Sequence, residues 1–357
     1  MASIFKSFTG EDIVTTKTLL HEALPLTGAL FSASYGTHPN EENIKNFTHG
    51  QFQSCYDYPY LSSSANHLLD ITVGYSNDSA LSSSSNSQNA KKINIYNQMA
   101  QILMGYDQTG SIQKFDQDGN VLAGGSKLRE CIFLNFSRLL YKDEIKKGSF
   151  VIKLGSSSPY ATANNSLITI TDSGAQNDYR VNSPAGEYAI LSASSGEHAS
   201  SPLNSNCGLL FYQAGIAVLT ASIFMGQPTG AIGTQALMNK TAGDSMMAML
   251  TGSEISGSAD ALRHRIYDID FNNTTELNST IYFCRVNHND FNYSSNPTYL
   301  SGSKLRVKNN STDEPVSYIT TIGMYSSDNE LLAVAKVSEP LKKTPSTSLT
   351  LRVRLDY

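Results

Sequence analysis

The chain has 357 residues, which is enough for one large or two medium domains with a real core. Its 26 basic and 31 acidic residues give a net charge of -5, and the basic residues form no patch, which argues against a nucleic-acid partner and against a polybasic membrane site. Charged residues amount to only 16%, and Ser, Thr, Asn and Gly fill the polar positions, a composition that favours strands and turns over long solvated helices.

The four cysteines are spread along the chain without a Cys-x-x-Cys pair, so neither a metal site nor a redox motif is predicted. We expect Cys55, Cys131, Cys207 and Cys284 to be reduced and mostly buried. Residues 1–10 contain no apolar stretch typical of a signal peptide, and no run approaches the roughly 18 apolar residues of a membrane span. Synthesis and folding in a reducing cytosol is therefore expected.

The first part of the chain mixes short apolar and polar segments. Thr9 to Asp12 resembles a capping box, but the apolar residues of 13–27 fit neither the helical nor the strand period. Three further segments are predicted from pattern and composition: a short helix over 40–49, a buried segment over 68–73 and a Ser-rich surface loop over 82–87.

The strongest helical pattern runs from Ala90 to Met104. Ile93, Tyr96 and Leu103 recur at helical intervals, with Met99 or Ala100 between them, and Gly105 ends the run. A helix with one apolar face needs a partner surface, so we expect it to lie against a sheet.

The middle of the chain predicts strands separated by turns. Strands over 131–136 and 150–154 flank a short helix over 142–147, and further strands follow over 166–171 and 188–193. Residues 209–212 and 216–219 form a predicted hairpin around Gln213-Ala214-Gly215. Together these patterns indicate an antiparallel arrangement.

Residues 226–257 are rich in Gly and Thr and contain Met246, Met247 and Met249. Because methionine side chains adapt to partners, the segment is either an arm that becomes ordered on a neighbouring subunit or a short helix that fills a gap in the core. A helix is then predicted over 258–266, with Ser258 as its N-cap. The cluster of Arg263, His264 and Arg265 on this helix is expected to be solvated.

Four strands are predicted at the C-terminal end, over 280–286, 316–325, 331–337 and 349–357, with residues 326–330 as the turn between the middle two. Pro340 and Pro345 bracket the next connection. Strict alternation in the last strand places Leu349, Leu351, Val353, Leu355 and Tyr357 on one buried face.

The predicted fold is α+β and β-rich, with antiparallel sheets, a few short helices and a C-terminal sheet of at least four strands. We divide the chain into a mixed N-terminal lobe (1–160), a β-rich middle with a Gly- and Met-rich insertion (161–278) and a C-terminal antiparallel part (279–357).

Catalytic signatures are absent from the sequence. It contains no G-x-S-x-G, H-E-x-x-H or P-loop motif. Asp116 to Asn120 suggests a calcium loop, but Val121 and Lys127 occupy the positions where an EF-hand needs Gly and Glu, so a Gly-containing turn is favoured. The carboxylates nearest in sequence are Asp143 with Glu144 and Asp268 with Asp270, and such close acids are commonly solvated. We predict no catalytic, cofactor-binding or metal-binding residues.

Three C-terminal phrases are long enough to suggest a family: NDFNYSSNPTY (289–299), YITTIGMY (318–325) and NELLAVAK (329–336). Further phrases belong with them, namely HGQFQS (49–54), NFSRLL (135–140), KDEIKKG (142–148) and SGSAD (256–260). Together they resemble virion structural proteins of tailed bacteriophages, and in particular those of contractile-tailed phages of marine cyanobacteria. The likeness touches nearly the whole chain, and it brings no catalytic residues.

The resemblance implies a non-enzymatic tail or baseplate protein of the virion, made in the host cytoplasm and bound to other virion proteins as a homo-oligomer or hetero-complex. A host receptor-binding tail protein, a capsid or neck protein and an envelope-polysaccharide hydrolase remain alternatives. The candidate interface residues are Phe291, Tyr293, Asn296 and Tyr299 in the aromatic loop, and Met246, Met247 and Met249 in the Met-rich segment. The aromatic loop can equally be the lid of the core.

Overall fold

The computed structural model describes residues 5–26, 44–57, 66–120, 124–155, 167–193, 206–224, 250–263, 265–292, 300–301, 304–305 and 315–357. The chain forms two compact units. The larger unit comprises residues 20–275, and the smaller unit combines residues 1–19 with residues 276–357. The sequence-based division at 160/161 lies outside the described residues.

Antiparallel strands make up most of the described chain. In chain order they are β1 (Ile13–Pro25), β2 (Ile44–Asn46), β3 (Gln53–Tyr56), β4 (His67–Tyr75), β5 (Glu130–Phe136), β6 (Glu144–Ile145), β7 (Val151–Gly155), β8 (Leu167–Thr171), β9 (Arg180–Ser183), β10 (Gly186–Ala193), β11 (Asn206–Phe211), β12 (Ile216–Thr220), β13 (Ile266–Val286), β14 (Leu300–Ser301), β15 (Lys304–Leu305), β16 (Ser317–Tyr325), β17 (Leu331–Lys343) and β18 (Leu349–Asp356). The helices are α1 (Asn89–Leu103), α2 (Arg138–Tyr141) and α3 (Ile255–Arg263), with 3-10 turns at Gly10–Asp12 and Ala221–Phe224. The predicted β-rich α+β class is confirmed.

Most of the strands form one continuous sheet. Its strand order is β1, β13, β7, β8, β10, β11, β12, β5, β4, β3, β2, with β6 and β18 also paired with β13 and β9 with β10. The predicted hairpin is formed by β11 and β12, which pair from Gly208 with Leu219 to Phe211 with Ile216. Gly215 in its turn has φ +64, and a Cβ there would lie 2.2 Å from the ring of Tyr141, so this position requires glycine.

Helix α1 packs on β4, as its pattern predicts. Tyr96, Ala100 and Leu103 are buried, and Gly105 ends the helix at φ +78 by donating its N–H to the carbonyl of Ala100 at 3.1 Å. Aromatic rings continue this core: Phe115 lies within ring-contact distance of Tyr96, Phe133 and Phe211. The buried apolar cluster is confined to residues of the larger unit.

Two short helices are predicted in the wrong places. Residues 44–46 of the predicted 40–49 helix form strand β2, because their backbone pairs with β3 at the sheet edge; residues 40–43 lie outside the described part. Residues 142–147 do not form a helix either. There the helix, α2, ends at Tyr141, and the short strand β6 pairs with β13 instead. In both cases pairing with another strand, near in sequence for β2 and distant for β6, outweighs a weak local pattern.

Helix α3 begins three residues earlier than predicted, so Ser258 is a buried residue inside the helix and not its N-cap. The expectation that Arg263 and Arg265 are solvated is wrong, since both side chains are buried. Arg263 donates to the carboxamide of Gln53 at 3.2 Å and to the carboxylate of Asp260 at 3.1 Å. A buried guanidinium needs such acceptors; Asp260 lies on the same helix, whereas Gln53 comes from strand β3, which is distant in sequence.

All four predicted C-terminal strands are present. Residues 279–286 of β13 pair with β18, and β16 pairs with β17. Pro340 lies within β17 and not in a connection after it. Between the Ile319–Leu341 and Thr321–Lys336 pairs the register shifts, so Pro340 falls in a bulge, where its missing N–H breaks no ladder bond. In β18, Val353 is buried as predicted, but Tyr357 is 72% exposed although its backbone N–H and C=O are both hydrogen-bonded to Asn278, so the pairing continues but the side chain is not covered.

Candidate assembly surface

Buried and exposed apolar side chains are divided very unequally between the two units. Among the described residues of the smaller unit, the buried apolar side chains are Val286, Met324 and Val353, whereas the larger unit holds all the others. Most of the exposed large apolar side chains belong to the smaller unit: Phe5, Phe8, Ile13, Val14, Leu19, Leu277, Phe291, Tyr318, Tyr325, Leu331, Leu332, Val334 and Tyr357. The smaller unit therefore exposes large apolar side chains of the kind that a globular unit normally buries.

The β16–β17 hairpin shows how this exposure arises. Gly323 pairs with Val334, and Met324 pairs with Ala333, so neighbouring pairs point to opposite faces of the two strands. The face that carries Met324 is largely covered, since that side chain is only 7% exposed. On the other face, Leu332 is 69% and Val334 is 52% exposed.

The exposed face is a continuous apolar group near the turn of the hairpin. A Cβ at Gly323 would lie 2.9 Å from the Tyr325 ring and 3.3 Å from the Leu331 side chain, which shows that both side chains lie over this glycine. The Phe5 ring contacts Tyr325 edge-on, with centroids 4.9 Å apart. We call Phe5, Tyr325, Leu331, Leu332 and Val334 the hairpin patch.

Strand β1 adds an open sheet edge. Within the described part of the chain β1 pairs with β13 alone, so its outer row of N–H and C=O groups has no strand partner there. Ile13, Val14 and Leu19 are each 39–47% exposed along it. Charged side chains and proline normally protect such edges, and β1 carries Lys17, Glu22 and Pro25. Its apolar side chains therefore add to the exposed surface of the smaller unit, but the edge is partly protected against pairing with another chain.

Polar contacts replace much of the missing core in the smaller unit. The Lys343 ammonium is fully buried and donates to His288 O at 2.9 Å, Asn292 Oδ1 at 2.7 Å and Thr344 O at 2.8 Å. Asp12 accepts from the N–H and hydroxyl of Thr9, which are the main causes that lower the pKa of this carboxyl, and it pairs with Arg285 at 2.6 Å. These contacts fix local geometry but bury little apolar surface.

Of the interface residues predicted from sequence, only Phe291 is among the described residues. It is 41% exposed, has φ 50, and its carbonyl accepts the Ser317 hydroxyl at 2.5 Å. Tyr293, Asn296, Tyr299, Met246, Met247 and Met249 lie outside the described residues. The hairpin patch was not predicted from the sequence. The run Leu331-Leu332-Ala333-Val334 could have indicated it, because this strand is apolar on both faces where a half-buried strand would alternate.

A second candidate site is a polar cavity of about 430 Å³ in the larger unit. It is lined by Ser54, Tyr56, His67, Asp70, Ser137, Arg138 and Leu139. Antiparallel pairing of Ser54 with Asp70 and of Tyr56 with His67 brings these side chains together, so the β3–β4 register builds one wall. The start of α2 supplies the other residues.

The acidic residues Asp116, Asp268 and Asp270 are not among the lining residues of this cavity. The Asp116 carboxylate is paired with Lys127 beside a bend at Gly119, and the Asp268 carboxylate is 2.6 Å from the Lys153 ammonium. Burial, followed by the neighbouring Asp268 charge, raises the pKa of Asp270. In the described part of the chain no three His, Cys, Asp or Glu side chains come together as a metal site would require. None of the four cysteines takes part in a disulfide bond.

Comparison of the chain with protein-family models, curated proteins and solved structures found no match. None of the helices in the described part of the chain is long and apolar enough to cross a membrane.

Proposed function

We propose that this protein is a non-enzymatic structural component of a bacteriophage virion, a tail or baseplate protein whose smaller unit binds neighbouring subunits. The observation that carries the proposal is the division of apolar side chains, with the core in one unit and the exposed apolar surface in the other. The resemblance to phage virion proteins supplies the biological setting. The partners are copies of the same chain or other virion proteins.

Physical reasons favour a binding partner that covers the exposed apolar surface of the smaller unit. An isolated two-stranded hairpin is marginally stable in water, and the β16–β17 hairpin exposes apolar side chains on one face. Contiguous exposed apolar patches on soluble proteins commonly mark interaction sites. Oligomerisation is one of the routes by which a unit with a small core becomes stable.

The alternatives make different demands on the structure. A hydrolase with two catalytic carboxylates needs them in one cleft, about 5 to 9.5 Å apart. In the polar cavity Asp70 is the only carboxylate among the described lining residues. A capsid or neck protein would use the same apolar surface as a tail protein, so that distinction depends on the identity of the partner. A receptor-binding role would instead use a site in the larger unit.

The test is the mass of the purified chain by light scattering across a wide concentration series, alone and with other tail proteins of the same virion. We expect a defined oligomer, or a complex that forms with a tail partner. The decisive variant is Leu332→Asp, because covering Leu332, which is 69% exposed, would contribute about 1–2 kcal/mol per copy, and the new charge would have to be desolvated. Its association should weaken by at least about tenfold.

The matched control is Ile102→Asp. Ile102 is 63% exposed but lies on α1 in the larger unit, so the same charge introduced there should leave association unchanged. A chain that stays monomeric at every concentration and ignores tail proteins would refute the proposal. Equal weakening by both variants would show that the hairpin patch is not the interface.

A further inference from the structure

The polar cavity in the larger unit carries hydrogen-bonding groups that the fold itself does not use. Oδ1 of Asp70 accepts the Ser54 hydroxyl at 2.5 Å and lies 2.8 Å from His67 Nε2, so the imidazole donates there. Among the described residues no hydrogen bond or ion pair is made by Oδ2 of this carboxylate or by Nδ1 of His67. Both side chains are partly exposed, at 23% and 21%. The carboxylate is thus held in one orientation with a free acceptor.

The same cavity is lined by a positively charged side chain, that of Arg138. Arg138 is exposed, and within the described residues its guanidinium has no ion pair or side-chain hydrogen bond. Its planar fork of donors fits a carboxylate or phosphate. The Ser137 hydroxyl beside it and the Leu139 side chain complete this wall. The cavity therefore offers one oriented acceptor, one free cation and hydroxyl groups.

We propose that this cavity binds an acidic sugar, with the acidic group on Arg138 and a hydroxyl donating to Oδ2 of Asp70. A polyhydroxylated ligand supplies both donors and acceptors, as the mixture of carboxylate, hydroxyl and imidazole requires, whereas an apolar ligand would leave these groups unpaired. The volume of about 430 Å³ suits a unit of one or two sugar rings. The inference does not depend on the assembly role of the smaller unit.

The described lining residues offer groups for binding and a single carboxylate. Asp70 is the only carboxylate among the described lining residues, and its Oδ1 is occupied by Ser54 and His67. The two-carboxylate mechanism of glycoside hydrolysis therefore has no second residue in this part of the cavity. A larger acidic polysaccharide would be held through one sugar unit at a time.

The experiment measures binding of D-glucuronate, D-glucose and inorganic phosphate to the full chain by ligand-observed NMR and calorimetry. For a ligand of this size we expect a Kd of about 1 mM for glucuronate. Glucose and phosphate should each bind at least about tenfold more weakly, because each engages only half of the site. Polyglucuronate should compete with the monosaccharide.

Arg138→Gln and Asp70→Asn should each weaken glucuronate binding by at least about tenfold. Arg352→Gln removes the same charge from an exposed position on β18 and should have no effect. Thermal unfolding of each variant checks its fold, and Arg138→Lys, which keeps the charge, should restore part of the binding in a folded chain.

Absence of glucuronate binding at concentrations tens of times the expected Kd would overturn the proposal. Equal affinity for phosphate alone would also overturn it, because it would reveal a simple anion site. Binding that survives both cavity substitutions would also overturn it. Leu332→Asp separates the two proposals, because it should weaken association by at least about tenfold and leave glucuronate binding intact.

Discussion

The substitution Gly74→Ala tests how α1 is seated on the sheet. Gly74 lies in β4 beneath the helix, and a Cβ there would be 2.7 Å from Lys92 O and 2.9 Å from Tyr96 N. Both atoms belong to the helix backbone and cannot rotate away. For ordinary van der Waals contact the first distance must lengthen from 2.7 Å to at least 3.4 Å, so the helix itself has to move.

The cost follows from two terms. Overpacking a core by one methyl group costs about 1–3 kcal/mol. The movement also displaces Lys92, whose buried ammonium donates to Ser87 O at 2.9 Å and to Leu250 O and Ser253 O at 2.6 Å each. Weakening one of these charge-assisted bonds adds about 1.5–3 kcal/mol. We therefore expect a loss of about 3–5 kcal/mol in the free energy of unfolding.

Urea denaturation followed by far-UV circular dichroism measures this loss. The matched control is Gly174→Ala, since Gly174 has open space around its Cβ position and no positive φ. That variant should change stability by less than about 0.5 kcal/mol, or increase it slightly through the unfolded state. If Gly74→Ala were as harmless as the control, the close contact between α1 and β4 would be wrong.

Three further outcomes are expected in the larger unit. Asp172→Ala should cost about 3–5 kcal/mol in urea denaturation, because it unpairs Gly148 N (2.7 Å), Phe150 N (2.9 Å) and the Tyr212 hydroxyl (2.8 Å). Tyr212→Phe removes only the last of these bonds and should cost about 1 kcal/mol at neutral pH; equal losses in the two variants would contradict the geometry. Burial raises the pKa values of several tyrosines, with that of Tyr188 at about 12 and those of Tyr96 and Tyr212 also raised. The pKa of each buried tyrosine is higher in the folded chain than in the unfolded chain, so the neutral hydroxyl contributes its full share to the free energy of unfolding below about pH 10. Above that pH this contribution falls by up to about 1.4 kcal/mol per pH unit for each tyrosine. Tyr212→Phe should therefore lose stability less steeply than the unmodified chain above that pH, and parallel profiles would refute the assignment.

Local periodicity was sufficient wherever a segment has one apolar face and strong end signals. Helix α1 and the four C-terminal strands are where the pattern predicts them, and the β11–β12 hairpin forms around Gly215 as expected. The weak patterns over 40–49 and 142–147 gave helices that the structure does not contain. In these segments pairing with β3 and β13 determines the conformation. Strand β13 is distant in sequence from residues 142–147, and the pairing of residues 44–46 with the nearby β3 is not indicated by their apolar pattern.

The burial of charged side chains could not be predicted from neighbours in sequence. The Arg263-His264-Arg265 cluster has the appearance of a solvated helix end, yet Arg263 is buried against Gln53, a residue about two hundred positions earlier. The polar cavity has the same origin, since Ser54 and Asp70 meet only through strand register. Tyr357 shows the opposite error: alternation predicts a buried side chain, and its backbone pairs with Asn278, yet the side chain is 72% exposed.

The sequence by itself determined the β-rich class and the positions of the strongly patterned elements, because these depend on propensity and periodicity within a few residues. The tertiary structure alone decided which apolar side chains of the described residues stay exposed. Leu332 and Val334 are as apolar as Val218 and Leu219, and both pairs lie in strands that are apolar on both faces. Burial depends on what packs against each face, and for the hairpin patch no described residue of the same chain covers that face.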